Sequence, residues 1–565
     1  MCGKTSIQPP RTWSICLDSE LTVFATVFAN LTPLPLVDTI PASHRMKKFL
    51  VLPFLLASTG FSQSYLDLVK ADPNNWFSYS GSFGAQRHSA LKQINTANVD
   101  GLIVKWLYHL PRAQELEGVP VVSNGVMYVT QSNEVDALDA RTGRLIWQYQ
   151  RSTAGAGHNR GVAIYERKIY LGTTDASLIA LDARTGSVIW ETKMLNGARY
   201  QGGAPLVVNN KVIVGLYSAS GLVDAYDAET GKPLWRWTAL PKPGEPGSET
   251  WAGGDAWKFG GGPTWLTGSY DPELNLIYWG TGQANPDFIG DKRAGDNLYT
   301  ECVVALDPDT GKLKWYFQFT PHDVHDWDAV EVPVLVDAQF EGQPRKLLVQ
   351  ANRNGYYYVL DRTNGKFLRG APFVKLLTWS SGLTAEGRPI LVPGKEPTLQ
   401  GNLVCPATAG ATNWPSPAYN PDTHYFYAVV TEGCSINYRG SDNFQPTAIS
   451  SSGTGYIESP EEQKRWQNYV RALDVTTGKL MWEYKQIGSN HYGPGLLSTA
   501  GGLLFAGDNQ GVLTALDARA GKALWHFSAG EKITASPMAY SVSGNEYVTL
   551  VAGPNVMAFG LPDRK

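Results

Sequence analysis

The sequence is poor in charge and in cysteine, and both shortages exclude classes of function. Charged residues make up only 18% of its 565 positions, and the formal net charge is −3. No basic run of the kind that tracks a phosphate backbone is present, so nucleic acid is not an expected partner. There are five cysteines and no C-x-x-C-H, so no c-type haem is attached to this chain. Long apolar runs are lacking too. The compact one, Phe49 to Leu56, is too short to span a bilayer. It follows Met46-Lys47-Lys48 and precedes Ala57-Ser58-Thr59-Gly60, the order of a secretory signal peptide. Translation is therefore expected to start at Met46. Residues 1–45, which carry no domain pattern, are then an artefact of the gene boundary or a disordered extension. Residues 46–63 are a leader cleaved near Gly60 to Ser64. The mature chain, 64–565, is expected to be periplasmic or secreted and to contain no transmembrane segment. Cys302, Cys405 and Cys434 survive cleavage, and an oxidising compartment permits a disulfide.

Tryptophan, tyrosine and glycine, by contrast, are plentiful, as in tightly turned all-β proteins. One phrase recurs. It reads Ala137-Leu-Asp-Ala-Arg-Thr-Gly-Arg-Leu-Ile-Trp147 and returns at Ala180–Trp190, Ala225–Trp235, Ala305–Trp315, Ala472–Trp482 and Ala515–Trp525. A degenerate copy runs from Val359 through Asp361 and Gly365 to Phe367. Close neighbours recur at about the length of a four-stranded propeller blade, roughly 40–45 residues. An apolar pair ends one strand, Asp-x-x-Thr-Gly makes the turn with glycine free to take positive φ, and the next strand ends on a tryptophan able to dock between blades. A further strand precedes most copies, for example Gly125 to Val129 or Lys168 to Leu171. The copies, with the gaps that could hide more, predict a single all-β domain over 64–565, an eight-bladed β-propeller with tryptophan-docking repeats. Two stretches break the period: residues 238–300, rich in Gly, Pro and Trp, and residues 368–465, which include Ser450 to Gly453. Long loops on a rigid scaffold are where sites tend to lie.

The loops carry unlike motifs in one order. These are Trp251-Ala-Gly-Gly-Asp-Ala-Trp257, Gly260-Gly-Gly-Pro-Thr-Trp265, Tyr270 to Gly282 ending in Trp-Gly-Thr-Gly, Gly295-Asp-Asn297, Thr320-Pro-His-Asp-Val-His-Asp-Trp-Asp328 and Asn352-Arg-Asn-Gly355. From about Trp76 to Leu561 the series resembles the quinoprotein alcohol dehydrogenases, which use pyrroloquinoline quinone (PQQ). The resemblance implies a periplasmic dehydrogenase without a haem domain. Such an enzyme oxidises an alcohol or sugar hydroxyl by hydride transfer to the quinone and passes electrons to a separate cytochrome c or quinone. It implies that Trp265 stacks on the cofactor and that Arg160 holds one of its carboxylates, as a planar guanidinium suits. Glu117, Asn413 and Trp414 fall at further cofactor contacts. Arg353 lies at the quinone oxygens, where a fixed cation stabilises charge as the quinone is reduced. Asp326 is the general base. A second acid two places on, Asp328, is associated in the family with a lanthanide rather than calcium. Cys405 and Cys434 match a structural disulfide pair. Cys302 reads as an isolated buried thiol on a strand.

The chain also departs from the family. Adjacent cysteines that cover the quinone in many members are replaced by Ala154 and Gly155. The Gly-rich turn that carries a metal-binding glutamate is shortened to Gly215-Leu-Tyr-Ser-Ala-Ser-Gly221, with Ser220 nearest the vacant position. Gln283 stands where the family has an asparagine ligand. Calcium or a lanthanide would then be held by Gln283, Asp326 and Asp328, with altered or weakened affinity. Two other readings stay open. One is a non-catalytic propeller that has lost the metal site and binds proteins. The other is a glycosidase, which only the Asp cluster supports.

Overall fold

The structure, a computed structural model, describes residues 65–70, 72–112, 116–152, 157–195, 202–218, 220–252, 256–441, 455–488 and 493–563. The extension 1–45, the leader with its cleavage point, Ala154, Gly155 and the Ser450 to Gly453 stretch lie outside the described residues.

The recurring phrase builds one turn repeatedly. In the first copy Asp139 Oδ1 accepts the backbone N–H of Arg141 (2.9 Å) and Thr142 (3.0 Å), while its carbonyl accepts the Gly143 N–H at 2.8 Å. The same carbonyl-to-glycine bond, at 2.8 Å, follows Asp182, Asp227, Asp307, Asp361, Asp474 and Asp517. Gly143 takes φ of +71°. Aspartate is needed to satisfy the turn's donors and glycine to accept its handedness. The glycine has a second reason to lack a side chain. A Cβ at Gly186 would lie 2.6 Å from Trp147 Cε3, and one at Gly231 would lie 2.5 Å from Trp190 Cε3. The tryptophan that ends one copy thus lies flat on the glycine of the next. Its indole N–H donates to the next turn's carbonyl: Trp147 to Ala183 O (3.0 Å), Trp190 to Ala228 O (3.2 Å) and Trp482 to Ala518 O (3.1 Å). Where the degenerate copy ends on Phe367, it is Tyr357 that meets the following glycine: a Cβ at Gly478 would lie 2.9 Å from Tyr357 Cδ1.

Each unit is a four-stranded antiparallel meander. The first runs Val121–Ser123, Val126–Gln131, Glu134–Asp139, Leu145–Gln150, in that sheet order. Its two central strands are buried almost throughout, and its fourth strand alternates exposure. Sequence reading found the last three strands of the unit. The innermost, three buried residues long, is too short to show a period. Among the described residues the same order returns at 163–193, 206–238, 269–318, 334–372, 418–485 and 496–528, the last extended by a parallel pairing of His88–Ser89 with its inner strand. The remaining sheet joins the two ends of the chain. Ile103–His109 pairs antiparallel with Asn555–Gly560 as the outer strand of the Met538–Val542, Asn545–Ala552, Asn555–Gly560 meander. This closes a β-propeller. Two smaller sheets, Ser380–Leu383 with Pro389–Leu391, and Asn402–Val404 with Ser435–Asn437 and Tyr456–Ile457, lie within the second stretch that breaks the period. Among the described residues no helix is long and apolar enough to cross a membrane.

Candidate active site

The segments that lead into the inner strands bring the functional residues together. Glu117 precedes the strand Val121–Ser123, Arg160 precedes Ala163–Tyr165, Trp265 precedes Ser269–Asp271, Asn413 and Trp414 precede Ala418–Asn420, and Lys532 to Thr534 precede Met538–Val542. With Arg353, from the hairpin after Gln343–Ala351, these residues line one cavity of about 270 Å³. All six cofactor residues expected from the sequence border it.

The cavity is a cationic, aromatic slot. The Arg160 guanidinium lies 4.8 Å from the Trp265 ring and 4.7 Å from the Trp414 ring, sandwiched between two indoles. Arg160 also pairs with Glu117 at 2.9 Å, and His158 Nδ1 lies 2.9 Å from the other Glu117 oxygen. Burial opposes ionisation of Glu117, but Arg160 and His158 outweigh it and hold its pKa below the ordinary value. The Arg160 Nε–H is buried without a hydrogen-bond partner. Flat π faces, guanidinium groups and an unspent donor suit a planar polyanion, so the residues present fit PQQ.

A cluster of acids adjoins the slot, tied to it through Trp265 and Arg353. The Trp265 indole N–H donates to Asp328 Oδ2 at 2.9 Å, and the Gln283 N–H donates to Asp328 Oδ1 at 2.8 Å. Gly282, in the Gly-Thr-Gly motif, must be glycine, because a Cβ there would lie 2.0 Å from that Oδ1. Arg353 donates to the Asp326 carbonyl (3.1 Å), Asp328 Oδ2 (3.4 Å) and Asn413 Oδ1 (3.2 Å), and its Nε lies 3.8 Å from Glu331. Asp326 itself sits at φ +63°, a left-handed conformation unusual for a side-chain-bearing residue and common at functional sites. It is held there by Asp323, whose carboxylate accepts the N–H groups of His325, Asp326 and Trp327. Burial and the charges of Asp287 and Asp328 push the Asp326 carboxyl well above the ordinary range, with Arg353 opposing them. His325 is held as a neutral imidazole beside this carboxyl. Burial pushes it down to about 3, and it packs 4.4 Å from Trp327.

Sequence reasoning missed several members of this cluster. Asp287 follows Asn285-Pro286 and reads as a turn residue. Burial pushes it up to about 7, with the Asp328 charge adding to the rise. Glu331 is pushed up to about 8 by burial, against the pull of Arg353. Glu301 is fully buried with neither carboxyl oxygen hydrogen-bonded. Tyr217 comes from the shortened turn, and partial burial and the charges of Asp328, Asp287 and Asp326 push its phenol up to about 12. In the slot itself, Lys532 comes from the segment before Met538–Val542 without a motif. Only Asp287 carried a signal, an acid inside a loop that broke the period. Elsewhere, Cys405 and Cys434 form a disulfide with a Cα–Cα distance of 4.4 Å, and Cys302 is buried as a free thiol.

A propeller with an indole-and-guanidinium slot beside buried carboxylates defines a quinoprotein dehydrogenase class of site. Residues 76–372 match the glucose/ethanol/alcohol dehydrogenase β-propeller domain family (PQQ), and residues 466–560 match the family of the outer membrane protein assembly factor BamB. The chain is 36% identical over 541 residues to quinohemoprotein alcohol dehydrogenase ADH IIB of Pseudomonas putida, covering 89% of this chain and 77% of that protein. It is 37% identical over 513 residues to quinoprotein alcohol dehydrogenase PedH of Pseudomonas putida, covering 83% of this chain and 84% of that protein. A solved europium-containing methanol dehydrogenase superposes with a TM-score of 0.79 at 30% identity, over 88% of this chain and all of that one. The chain belongs to the PQQ-dependent quinoprotein alcohol dehydrogenase family.

Proposed function

We propose that the mature chain, residues 64–565 after removal of a leader at 46–63, is an exported PQQ-dependent dehydrogenase of eight blades that oxidises an alcohol or sugar hydroxyl. The carrying observation is the bridge made by Arg353, which links the acid cluster to the slot through Asp326, Asp328 and Asn413. A scaffold that only bound proteins would have no use for that link.

In this reading Trp265 stacks on the cofactor plane, Trp414 borders the cofactor, Arg160 holds a cofactor carboxylate, and Glu117 and Asn413 orient those groups. PQQ, when bound, supplies the electrophilic quinone carbon that accepts the hydride. Asp326 takes the hydroxyl proton of the substrate through its carboxylate, which must first be ionised. Arg353 stabilises negative charge growing beside it. Asp328, engaged by Trp265, Gln283 and Arg353, fixes the positions of those three residues beside the base. The nearby oxygen donors suit Ca²⁺ or a lanthanide, which would lower the proton affinity of Asp326. In the same reading the electrons leave to a separate acceptor, a cytochrome c or a quinone. Export into the periplasm agrees with the leader and with the Cys405–Cys434 disulfide.

The test is reconstitution of the purified chain with PQQ, with and without calcium or lanthanum. Quinone absorbance and dye-linked oxidation of an alcohol panel are then recorded. Uptake with turnover is expected, and no cofactor uptake under any metal condition would overturn the reading.

A further inference from the structure

The turn that lacks its expected glutamate can be followed in space. Ser220 is exposed, and its backbone N–H and carbonyl bond within the neighbourhood of the turn, to Ser218 Oγ (3.4 Å) and Thr238 Oγ1 (3.2 Å). The turn is pressed against the Gly-Gly-Pro-Thr segment: a Cβ at Gly215 would lie 1.8 Å from Thr264 O, and one at Gly221 would lie 1.7 Å from Gly262 O. Among the described residues no carboxylate reaches the cluster from this turn. One arrives from the loop after the Gly-Thr-Gly motif. Asp287 is 5% exposed, and its Oδ1 has no hydrogen-bond partner. Gln283, at 8% exposure, likewise has an unpartnered Oε1. The two side chains touch through a Gln283–Asp287 hydrogen bond, and Asp287 is near enough to Asp326 for the two charges to repel.

Buried oxygens of this kind are costly unless something electropositive meets them. The charge of Arg293 acts on Asp287, yet its N–H groups are spent elsewhere and give Oδ1 no hydrogen bond. Arg293 donates to Pro286 O (3.1 Å), Asp287 O (3.0 Å), Asn297 Oδ1 (2.8 Å) and Asp323 O. It thereby staples the backbone of the Asp287 loop to the loop that carries Asp326. Among the described residues no group of three His, Cys, Asp or Glu side chains is placed to hold a metal ion by itself, and Asp328 already receives N–H donors from Trp265, Gln283 and Arg353.

We propose that Asp287 replaces the lost turn glutamate: Gln283 Oε1, Asp287 Oδ1 and the Asp326 carboxylate form the protein half of a site for one hard cation, Ca²⁺ or a trivalent lanthanide. The proposal rests on the reading that the adjacent slot takes PQQ, whose oxygens would complete the shell. Amide and carboxylate oxygens are the ligands such ions select. Arg293 acts as a positioning residue that fixes the spacing of the two loops.

Terbium luminescence, sensitised by Trp265, tests it on the full-length mature protein, both PQQ-loaded and cofactor-free, with Ca²⁺ as competitor. One Tb³⁺ per chain is expected, and D287N should weaken its dissociation constant at least tenfold while circular dichroism stays that of the wild type. Gln283→Leu, which removes the second unpartnered oxygen, should weaken it in the same sense. S220A should change nothing. Unchanged Tb³⁺ binding in both D287N and Gln283→Leu would overturn the proposal. So would a wild-type protein that takes up PQQ, seen by its absorbance, yet binds no cation. Failure of PQQ uptake alongside Asp287-dependent Tb³⁺ binding would instead sink the dehydrogenase reading and leave the cation site standing.

Discussion

Asp326 is the residue whose chemistry is most exposed to test. Asn in its place keeps the shape and loses the base, so D326N should lower turnover by roughly 10²–10⁴-fold. The quinone absorbance of the bound cofactor should persist. Because burial and the Asp287 and Asp328 charges raise its pKa well above the ordinary carboxylate range, the active ionised form gains population as pH rises. The kcat/KM profile should therefore climb with pH along a limb displaced upward from the usual carboxylate region. Adding Ca²⁺ or La³⁺ should move that limb to lower pH, since a nearby cation favours the carboxylate. A limb that ignores the cation would contradict this. Arg160 governs a different step. Losing a charge-assisted contact costs about 1.5–3 kcal/mol, so R160M should weaken PQQ uptake about ten- to hundredfold by equilibrium titration. These roles could be carried over from the sequence because each residue sits in a recognisable local motif. Arg293 and Glu331 could not, because nothing local marks an acid or arginine whose partners come from other loops, and Asp287 offered only its place in a loop that broke the period.

At the scale of the element, the turn and the docked tryptophan act as one device. Gly186 must take φ of +72° and also lie under Trp147. Gly186→Ala should lower unfolding stability by about 1–3 kcal/mol through strain and overpacking, measured by denaturant melting. The sequence showed the glycine's conformational need, but not the ring above it, which comes from the preceding unit. The seam that closes the propeller has its own pH signature. Glu546 accepts the Ile94 N–H at 2.9 Å, and burial pushes its pKa up to about 7 from an ordinary 4.5. A raised folded pKa means that the folded chain binds the proton more tightly than the unfolded one. Its stabilising effect is full below about pH 4.5 and is lost as pH rises through about 7. The wild-type melting temperature should fall across this window, and E546Q should flatten the fall by on the order of 2 °C.

For the whole molecule, the Cys405–Cys434 bond closes a loop with a sequence separation of 29 that carries Asn413 and Trp414 into the slot. Replacing both cysteines by serine should cost about 3–4 kcal/mol by loop-closure entropy. Cofactor affinity should fall in the same protein, since two walls of the slot lose their anchor. Unchanged melting and uptake would show that packing alone holds the loop. What the sequence determined unaided was the repeating unit, because Asp-x-x-Thr-Gly and a terminal tryptophan are local requirements of a turn and its neighbour. Through the order of its loop motifs it also determined the family. What only the tertiary structure decided was the convergence: segments entering the inner strands of separate sheets meet around one slot, and an acid from an unremarkable turn reaches the cluster that the shortened turn no longer serves. Sequence periodicity reports which face of a strand is buried. Which distant loops that burial brings within bonding distance depends on closing the propeller.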